Sequence, residues 1–208
     1  MVDLVIETAT AACSVALLRD GAVLAARHEV VGRGHAERLV PMIAEVMAEA
    51  DIVRADAILV DCGPGSFTGI RVGIAAARGL GLGWSVPVGG FSSLPLVAAA
   101  AFAADTKLDR LAVVLEGGHG EVFMQPFTRD PLVATADFAS LPPSEAMARL
   151  DATAVGNGVR FLALGGRELL PDAANVVLLP PALINLPPRP IYGRAPDAKP
   201  MVPEKPGA

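Results

Sequence analysis

The order of apolar runs over the first 104 residues restricts the fold more than any other feature of the chain. Val2 to Glu7 (VDLVIE), Ser14 to Leu18 (SVALL) and Ala22 to Glu29 read as strands: short apolar, β-branched runs bounded by small or polar residues. Asp20-Gly21, between the second and third, is a strong signal for a type I′ hairpin. The chain thus opens with a three-strand antiparallel meander. His35 to Ala50 (HAERLVPMIAEVMAEA) follows, with Leu39, Met42, Ile43, Val46, Met47 and Ala50 at helical spacing. Pro41 inside this run implies a helix that starts near Leu39 or bends there. Ala57 to Val60 reads as a short buried strand, Thr68 to Gly83 as a helix, Val86 to Gly90 as a strand and Ser92 to Ala104 as a helix.

Three antiparallel strands followed by alternating helices and strands match the unit of the ribonuclease H-like, actin-like ATPase (ASKHA) fold. The second half reads as a worn repeat of that unit. Arg110 to Leu115 and Glu121 to Arg129 are expected strands around a Gly-His-Gly turn, and Pro143 to Leu150 an expected helix. Ala152 to Val155 is an expected strand, Val159 to Leu170 a helix and Asn175 to Leu179 a strand. The expected class is therefore α/β, with two lobes of mixed sheet flanked by helices. The expected division is an N-terminal lobe over 1–104, a smaller lobe of the same plan over 105–180 and a Pro-rich tail over 181–208. Such a tail favours extended polyproline conformation and lies over the surface or stays loose.

Composition narrows the function. The formal net charge is −5 and no basic run occurs, which argues against autonomous nucleic-acid binding. Two distant cysteines, Cys13 and Cys62, make neither a disulfide framework nor a zinc site. The N-terminus shows no basic stretch or cleavage pattern of a signal peptide. Gly79 to Ala104 carries no charge, but Pro87, Pro95, Gly89-Gly90 and Ser92-Ser93 break it before it reaches the roughly 20 apolar residues of a membrane span. A soluble, cytoplasmic protein without a membrane partner is expected.

Asp61 to Leu80 reads DCGPGSFTGIRVGIAAARGL, a Gly- and Pro-rich loop leading into a helix. It lacks the Lys of a P-loop, and its third Gly, Gly69, is one residue late for a dinucleotide fingerprint. What remains is a turn at a helix N-terminus, with Ser66 and Thr68 as cap candidates and backbone N–H groups able to receive an anion. Gly69, Gly73 and Ala77 leave one helix face nearly bare, suited to close approach of another element. The two long helices carry more apolar surface than one sheet covers, which points to a protein partner. His28, His35 and His119 form no metal-binding pair. Glu7 and Glu116 end expected strands, where two carboxylates could form an acid–base site, although most residues so placed are merely solvated.

Several stretches together resemble one family. GPGSFTGIRVGIAAARGL is similar to the signature of the bacterial TsaB (YeaZ) proteins, within the glycoprotease-like (Gcp-like) group of the actin-like fold. IETATAACSVALL from Ile6 resembles that family's first phosphate-loop region, and GHAERLVPMI from Gly34 its first helix. GEVF at Gly120 to Phe123 resembles the start of its second lobe, and PIYGRAPDAKP at Pro190 to Pro200 its C-terminal segment. Catalytic TsaD-type relatives carry a metal-binding H-x-x-x-H after the strand that follows the signature helix. Here Ser93 and Val97 stand at those positions, and a hydroxyl and an isopropyl group cannot replace two imidazoles.

The resemblance therefore implies a subunit with no catalytic residue, no metal and no tightly bound cofactor. It implies TsaD as main partner and the ATPase TsaE as a second. Their complex transfers threonylcarbamoyl to the adenosine beside the anticodon of tRNA, so tRNA is met only through the complex. ATP or ADP at the complex interface is the one nucleotide role left open. The first two helices form the partner interface in this family, which marks His35, Arg38, Leu39, Met42, Ile70, Arg71 and Ile74. The loop residues Gly63, Pro64, Gly65, Ser66, Thr68 and Gly69 become a phosphate-type turn that is vestigial or shared with the partner. An unpartnered chain is expected to hide the same helices in a homodimer. Glu116-Gly117-Gly118 departs from the family's usual Asp-Ala-Arg. The alternative is a stand-alone actin-like ATPase or kinase, which would need Glu7 and the two Gly-containing loops to hold its nucleotide.

Overall fold

The computed structural model describes residues 1–163 and 166–193. Its first sheet has the order β3-β2-β1-β4-β5, built from Val2–Glu7 (β1), Ala12–Arg19 (β2), Ala22–Val30 (β3), Ala57–Asp61 (β4) and Val88–Phe91 (β5). β1, β2 and β3 are antiparallel, and β4 and β5 join parallel to β1. Asp20 and Gly21 both take positive φ, 51° and 81°, as the type I′ turn between β2 and β3 demands.

Period-two alternation sends the side chains of each strand to two different cores. Leu4, Ile6, Val15, Leu17, Ile58 and Val60 face His35–Glu49 (α1) and Phe67–Trp84 (α2). Val5, Ala16 and Leu18 face the opposite way, toward Ser93–Ala104 (α3) and the 3₁₀ turn Ala173–Leu178. α1 runs from His35 through Pro41 without starting late. Pro41 and Glu37 are both exposed, so the Glu37 carbonyl that loses its intrahelical donor is open to water.

The second sheet has the order β10-β6-β7-β8, with Arg110–Gly118 (β6), Glu121–Thr128 (β7), Val133–Ala134 (β8) and Thr153–Val155 (β10). Ala139–Leu141 (β9) pairs with β7 off this path, and Pro143–Arg149 (α4) covers one face. β10 lies parallel to β6 as β4 lies parallel to β1. α3 is apolar on every side because it packs between the two sheets: Leu96 and Ala99 belong to the first-sheet core, and Leu94, Val97, Ala98, Ala101 and Phe102 to the second. Among the described residues, no helix is long and apolar enough to cross a membrane.

Two elements differ from expectation. Within the helix expected over Val159 to Leu170 the structure has a 3₁₀ turn over Asn157–Phe161 and an isolated parallel bridge from Arg167 to Val155; residues 164–165 lie outside the described residues. The strand expected over Asn175 to Leu179 is the 3₁₀ turn Ala173–Leu178, opened by the Asp172 carboxylate accepting from the Ala174 N–H and stopped before Pro180. The described part of the Pro-rich tail is bound. Leu186 and Gly90 exchange backbone hydrogen bonds along the edge of β5, and the Ile191 N–H donates to the Cys62 carbonyl at 2.7 Å. Residues 194–208 of the expected tail lie outside the described residues.

Candidate functional site

The end of β4 and the start of α2 set the site's floor. Ser66 caps α2, its Oγ accepting from the Gly69 N–H at 3.2 Å, while its own N–H donates to the Ala9 carbonyl at 2.6 Å. Thr8 Oγ1 donates to the Gly69 carbonyl at 2.8 Å. A Cβ at Gly65 would collide with the Ala9 carbonyl, and one at Gly69 with the Thr8 carbonyl. These glycines thus let the loop after β4 press against the loop after β1. The bare stripe of α2 serves this internal contact.

The two loops form one wall of a cleft of about 780 Å³ between the lobes. Ala9 to Ala11, Gly32, Arg33, Gly65, Ser66, Phe67 and Arg71 line it from the first lobe. Glu116 to His119, Phe123 and Asn157 line it from the second, and Ile191 to Gly193 close one end. Of the six expected phosphate-turn residues, Gly65 and Ser66 reach the cleft. Gly63, Pro64 and Gly69 are buried behind it, and Thr68 is exposed on the first turn of α2. In the departing segment, Glu116 accepts from Arg160 at 2.5 Å, and its N–H donates to Asn157 Oδ1 at 3.1 Å.

One feature of the mouth was not anticipated. The Arg71 guanidinium lies 3.4 Å from the Phe67 ring centroid and donates to the Tyr192 hydroxyl at 2.8 and 3.1 Å. The two rings are 5.8 Å apart. The Phe67–Arg71 spacing of four residues is a readable sign of such a stack. Tyr192, 121 positions further on, carries no local signal.

The carboxyls are arranged differently from expectation. Glu7 is fully buried and does not line the cleft, so it is placed neither to hold a nucleotide nor to act on one there. Its Oε1 accepts from the Ala9 N–H at 2.6 Å. Asp61, also fully buried, stands beside it at the end of β4, since β1 and β4 run in parallel with Ile6 opposite Val60. Asp61 Oδ1 accepts from the Gly63 N–H at 2.7 Å and from Ser93 Oγ at 2.9 Å. Burial pushes Asp61 up to about 7, and burial together with the Asp61 charge holds Glu7 well above the usual carboxylate range. Burial also raises the thiols of Cys13 to about 12 and Cys62 to about 11, leaving both protonated at neutral pH. Of the positions that carry metal-ligating His in TsaD-type relatives, Ser93 supports Asp61 and Val97 lies in the second core.

The helix residues proposed for a partner are mostly inside the fold. Leu39, Met42, Ile70 and Ile74 belong to the first core, at 5% exposure or less. His35 is buried with Nε2 2.9 Å from the Ala12 carbonyl, which accepts its proton. A side chain filling its own core presents no surface. Arg38 is partly exposed and bridges Glu29 and Glu45; Arg71 is exposed at the cleft mouth. The faces that α1 and α2 turn to solvent carry Val40, Pro41 and Ala44 among Glu37, Glu45 and Glu49 on one helix, and Ala75, Gly79 and Leu82 among Arg71 and Arg78 on the other. Val40 is 64% and Leu82 85% exposed.

Comparison with known proteins agrees with this architecture. A family model described as tRNA N6-adenosine threonylcarbamoyltransferase, TsaD, matches residues 27–136. The TsaB protein of Escherichia coli is 39% identical over 129 residues, which is 61% of this chain and 55% of that protein. The match thus spans about half the length of that relative. An uncharacterised protein of Mycobacterium tuberculosis is 35% identical across 95% of this chain and 94% of its own length. The solved structure of YeaZ from Pseudomonas aeruginosa superposes with a TM-score of 0.77 at 29% identity, over 92% of this chain and 99% of that one. On fold, signature loop and these matches together, the chain belongs to the TsaB (YeaZ) family of the glycoprotease-like superfamily.

Proposed function

We propose that this chain takes part in the biosynthesis of threonylcarbamoyladenosine in tRNA, as a non-catalytic subunit that binds and supports TsaD. The carrying observation is the family membership, joined to the exposed apolar side chains Val40 of α1 and Leu82 of α2. Small residues such as Ala44, Ala75 and Gly79 beside them let a partner helix come close. The net charge of −5 fits a subunit that meets tRNA only through its complex. TsaE is the further proposed partner, and ATP or ADP bound between subunits the proposed nucleotide role. Without TsaD, the same face would pair two copies of this chain.

The test is reconstitution with TsaD from the same organism. Val40→Glu and Leu82→Glu would each bury a carboxylate in the contact and weaken pairing by about 100-fold or more. Both sites are exposed in the lone chain, so unfolding free energy should move by no more than about 0.5 kcal/mol. Unchanged co-elution of the variants with TsaD would remove this face from the interface. A second reading, a stand-alone ATPase or kinase, is favoured by the 780 Å³ cleft alone. Tight ATP binding and turnover by the isolated chain in calorimetric and phosphate-release assays would select it.

A further inference from the structure

Glu7 and Asp61 are the two most deeply buried carboxyls of the first lobe, and each is half satisfied. Glu7 Oε1 holds the Ala9 N–H; Asp61 Oδ1 holds the Gly63 N–H and the Ser93 hydroxyl; the Thr10 N–H also favours the charged form of Glu7, and the Ser93 N–H that of Asp61. The other oxygens, Glu7 Oε2 and Asp61 Oδ2, have no hydrogen-bond partner although both are buried. Leaving an ionised carboxylate oxygen in that state costs several kcal/mol, and two adjacent ones cost more.

Among the described residues, no basic side chain acts on Glu7 or Asp61. Asp61 and, more weakly, Asp172 act on Glu7. From β2, Ser14 lies on the pair's face of the sheet, while Cys13 lies on the other face, in the first core. Ser14, which is opposite Glu7 in the sheet, gives its hydroxyl to Asp172 at 3.1 Å. α3 contributes Ser93, and the strand end after Asp61 contributes Cys62, whose thiol stays protonated. Asp172 in turn faces His28 of β3 at 3.7 Å, one residue removed from the pair.

We propose that Glu7 and Asp61 hold one proton in common at neutral pH, and that this proton keeps the two loops of the cleft wall together. The position of the pair gives the proton its leverage. Glu7 anchors the loop after β1 at Ala9, and Asp61 anchors the loop after β4 at Gly63. Those loops meet where the Ser66 N–H donates to the Ala9 carbonyl at 2.6 Å, at the cleft wall. With the proton present, one carboxyl donates and the other accepts, and both unpartnered oxygens are engaged. When it leaves, each anion holds its own N–H more firmly, but two buried anions then occupy neighbouring strand ends, and their repulsion outweighs those bonds and drives the loops apart. The device is therefore a pH-sensitive latch on the cleft, closed at and below neutrality and loosened in alkali.

The sign follows from linkage. The unfolded chain releases these protons near the ordinary carboxyl range of about 4, whereas the folded chain keeps one to about 7 or beyond. The pair's contribution to stability is thus full below the unfolded value. It declines as pH rises through the window between the two, and is lost above the folded value.

The direct experiment is a carboxyl ¹³C NMR titration of the full chain labelled at Asp and Glu. The expected result is one Asp–Glu pair, assigned by Glu7→Gln and Asp61→Asn, that retains a proton through pH 6 and releases it at or above about 7. Both carboxyls titrating near 4 in the unmodified chain would overturn the proposal, and this reading needs no variant to fold. Amide exchange gives the second readout. Protection at Ala9 and Gly63, corrected for intrinsic exchange, should fall in step with the release of the proton in the unmodified chain. In Glu7→Gln, where an amide N–H replaces the shared proton, protection should stay flat. Protection that ignores the titration would show that the proton does not hold the loops.

Discussion

Arg129 donates to three backbone carbonyls at once, and it lies outside the lining of the cleft. Its Nε donates to the Leu108 carbonyl at 2.7 Å, Nη1 to that of Phe102 at 2.9 Å and Nη2 to that of Asp105 at 2.6 Å. It thereby closes the C-terminal end of α3, whose last carbonyls have no helical donors. Arg129→Ala should cost about 2–3 kcal/mol by urea denaturation, because charge-assisted bonds are lost and carbonyls are left open. Arg129→Lys should recover less than half, since an ammonium cannot span three carbonyls as a planar fork does; full recovery would reduce the contact to charge alone. No local pattern announces such a residue, because its partners lie 21 to 27 positions away. Ser66 was readable as a cap, since capping needs only the residue and its own next turn. Glu7 was noticed for its place at a strand end, but its burial, and hence its role, depends on Asp61 from a distant strand. The partner residues were marked by the resemblance, on the family's first two helices, and the apolar ones among them, Leu39, Met42, Ile70 and Ile74, fill the core. Exposure, not hydrophobicity, separates them from Val40 and Leu82.

Pro41 shows what helix periodicity settles and what it leaves open. The spacing of Leu39, Met42, Ile43, Val46 and Met47 fixed the buried face of α1, and of the two readings at Pro41, a start near Leu39 or a bend there, the helix beginning at His35 rules out the first. The helix tolerates Pro41 because the ring and the unpaired Glu37 carbonyl both face water. Pro41→Ala should restore that hydrogen bond and stabilise the isolated chain by about 1 kcal/mol or more, seen as a raised urea midpoint. A loss of stability would mean that the ring has a packing role of its own. The first-lobe strands and helices were readable because each carries a full period of pattern and a clear stop. The second lobe's short pieces do not. Val-Val-Leu-Leu at 176–179 fits a strand or a turn of helix equally, and only the Asp172 cap and Pro180 make it a 3₁₀ turn. After Phe161, too little repeats at helical spacing to extend Asn157–Phe161 into a helix.

The two lobes are joined by more than a linker, and this decides how the molecule unfolds. α3 supplies side chains to the cores of both sheets, so neither core is complete without it. The turn Ala173–Leu178 comes from the second half of the chain but covers the first sheet, with Ala173 and Val176 packed beside Val5 and Ala16. Asp172 ties that turn to β2 through Ser14, whose hydroxyl also accepts from the Ala173 N–H at 2.9 Å. Residues 186–191 then return along β5 and α2. The division read from the sequence at residue 104 falls directly after α3, whose side chains belong to both cores. Unfolding one lobe would strip the other of a covering layer, so the chain should melt as one cooperative unit. Trp84, the single tryptophan, sits at the end of α2 and reports on the first lobe; far-ultraviolet circular dichroism reports on both. In urea the two signals should share one midpoint and one slope. Asp172→Ala, which frees the covering turn without touching either sheet's own pairing, should lower that midpoint and keep the transitions coincident. If Trp84 instead melts separately from the bulk helix and strand signal in the unmodified chain, the lobes are independent and the shared helix does not couple them.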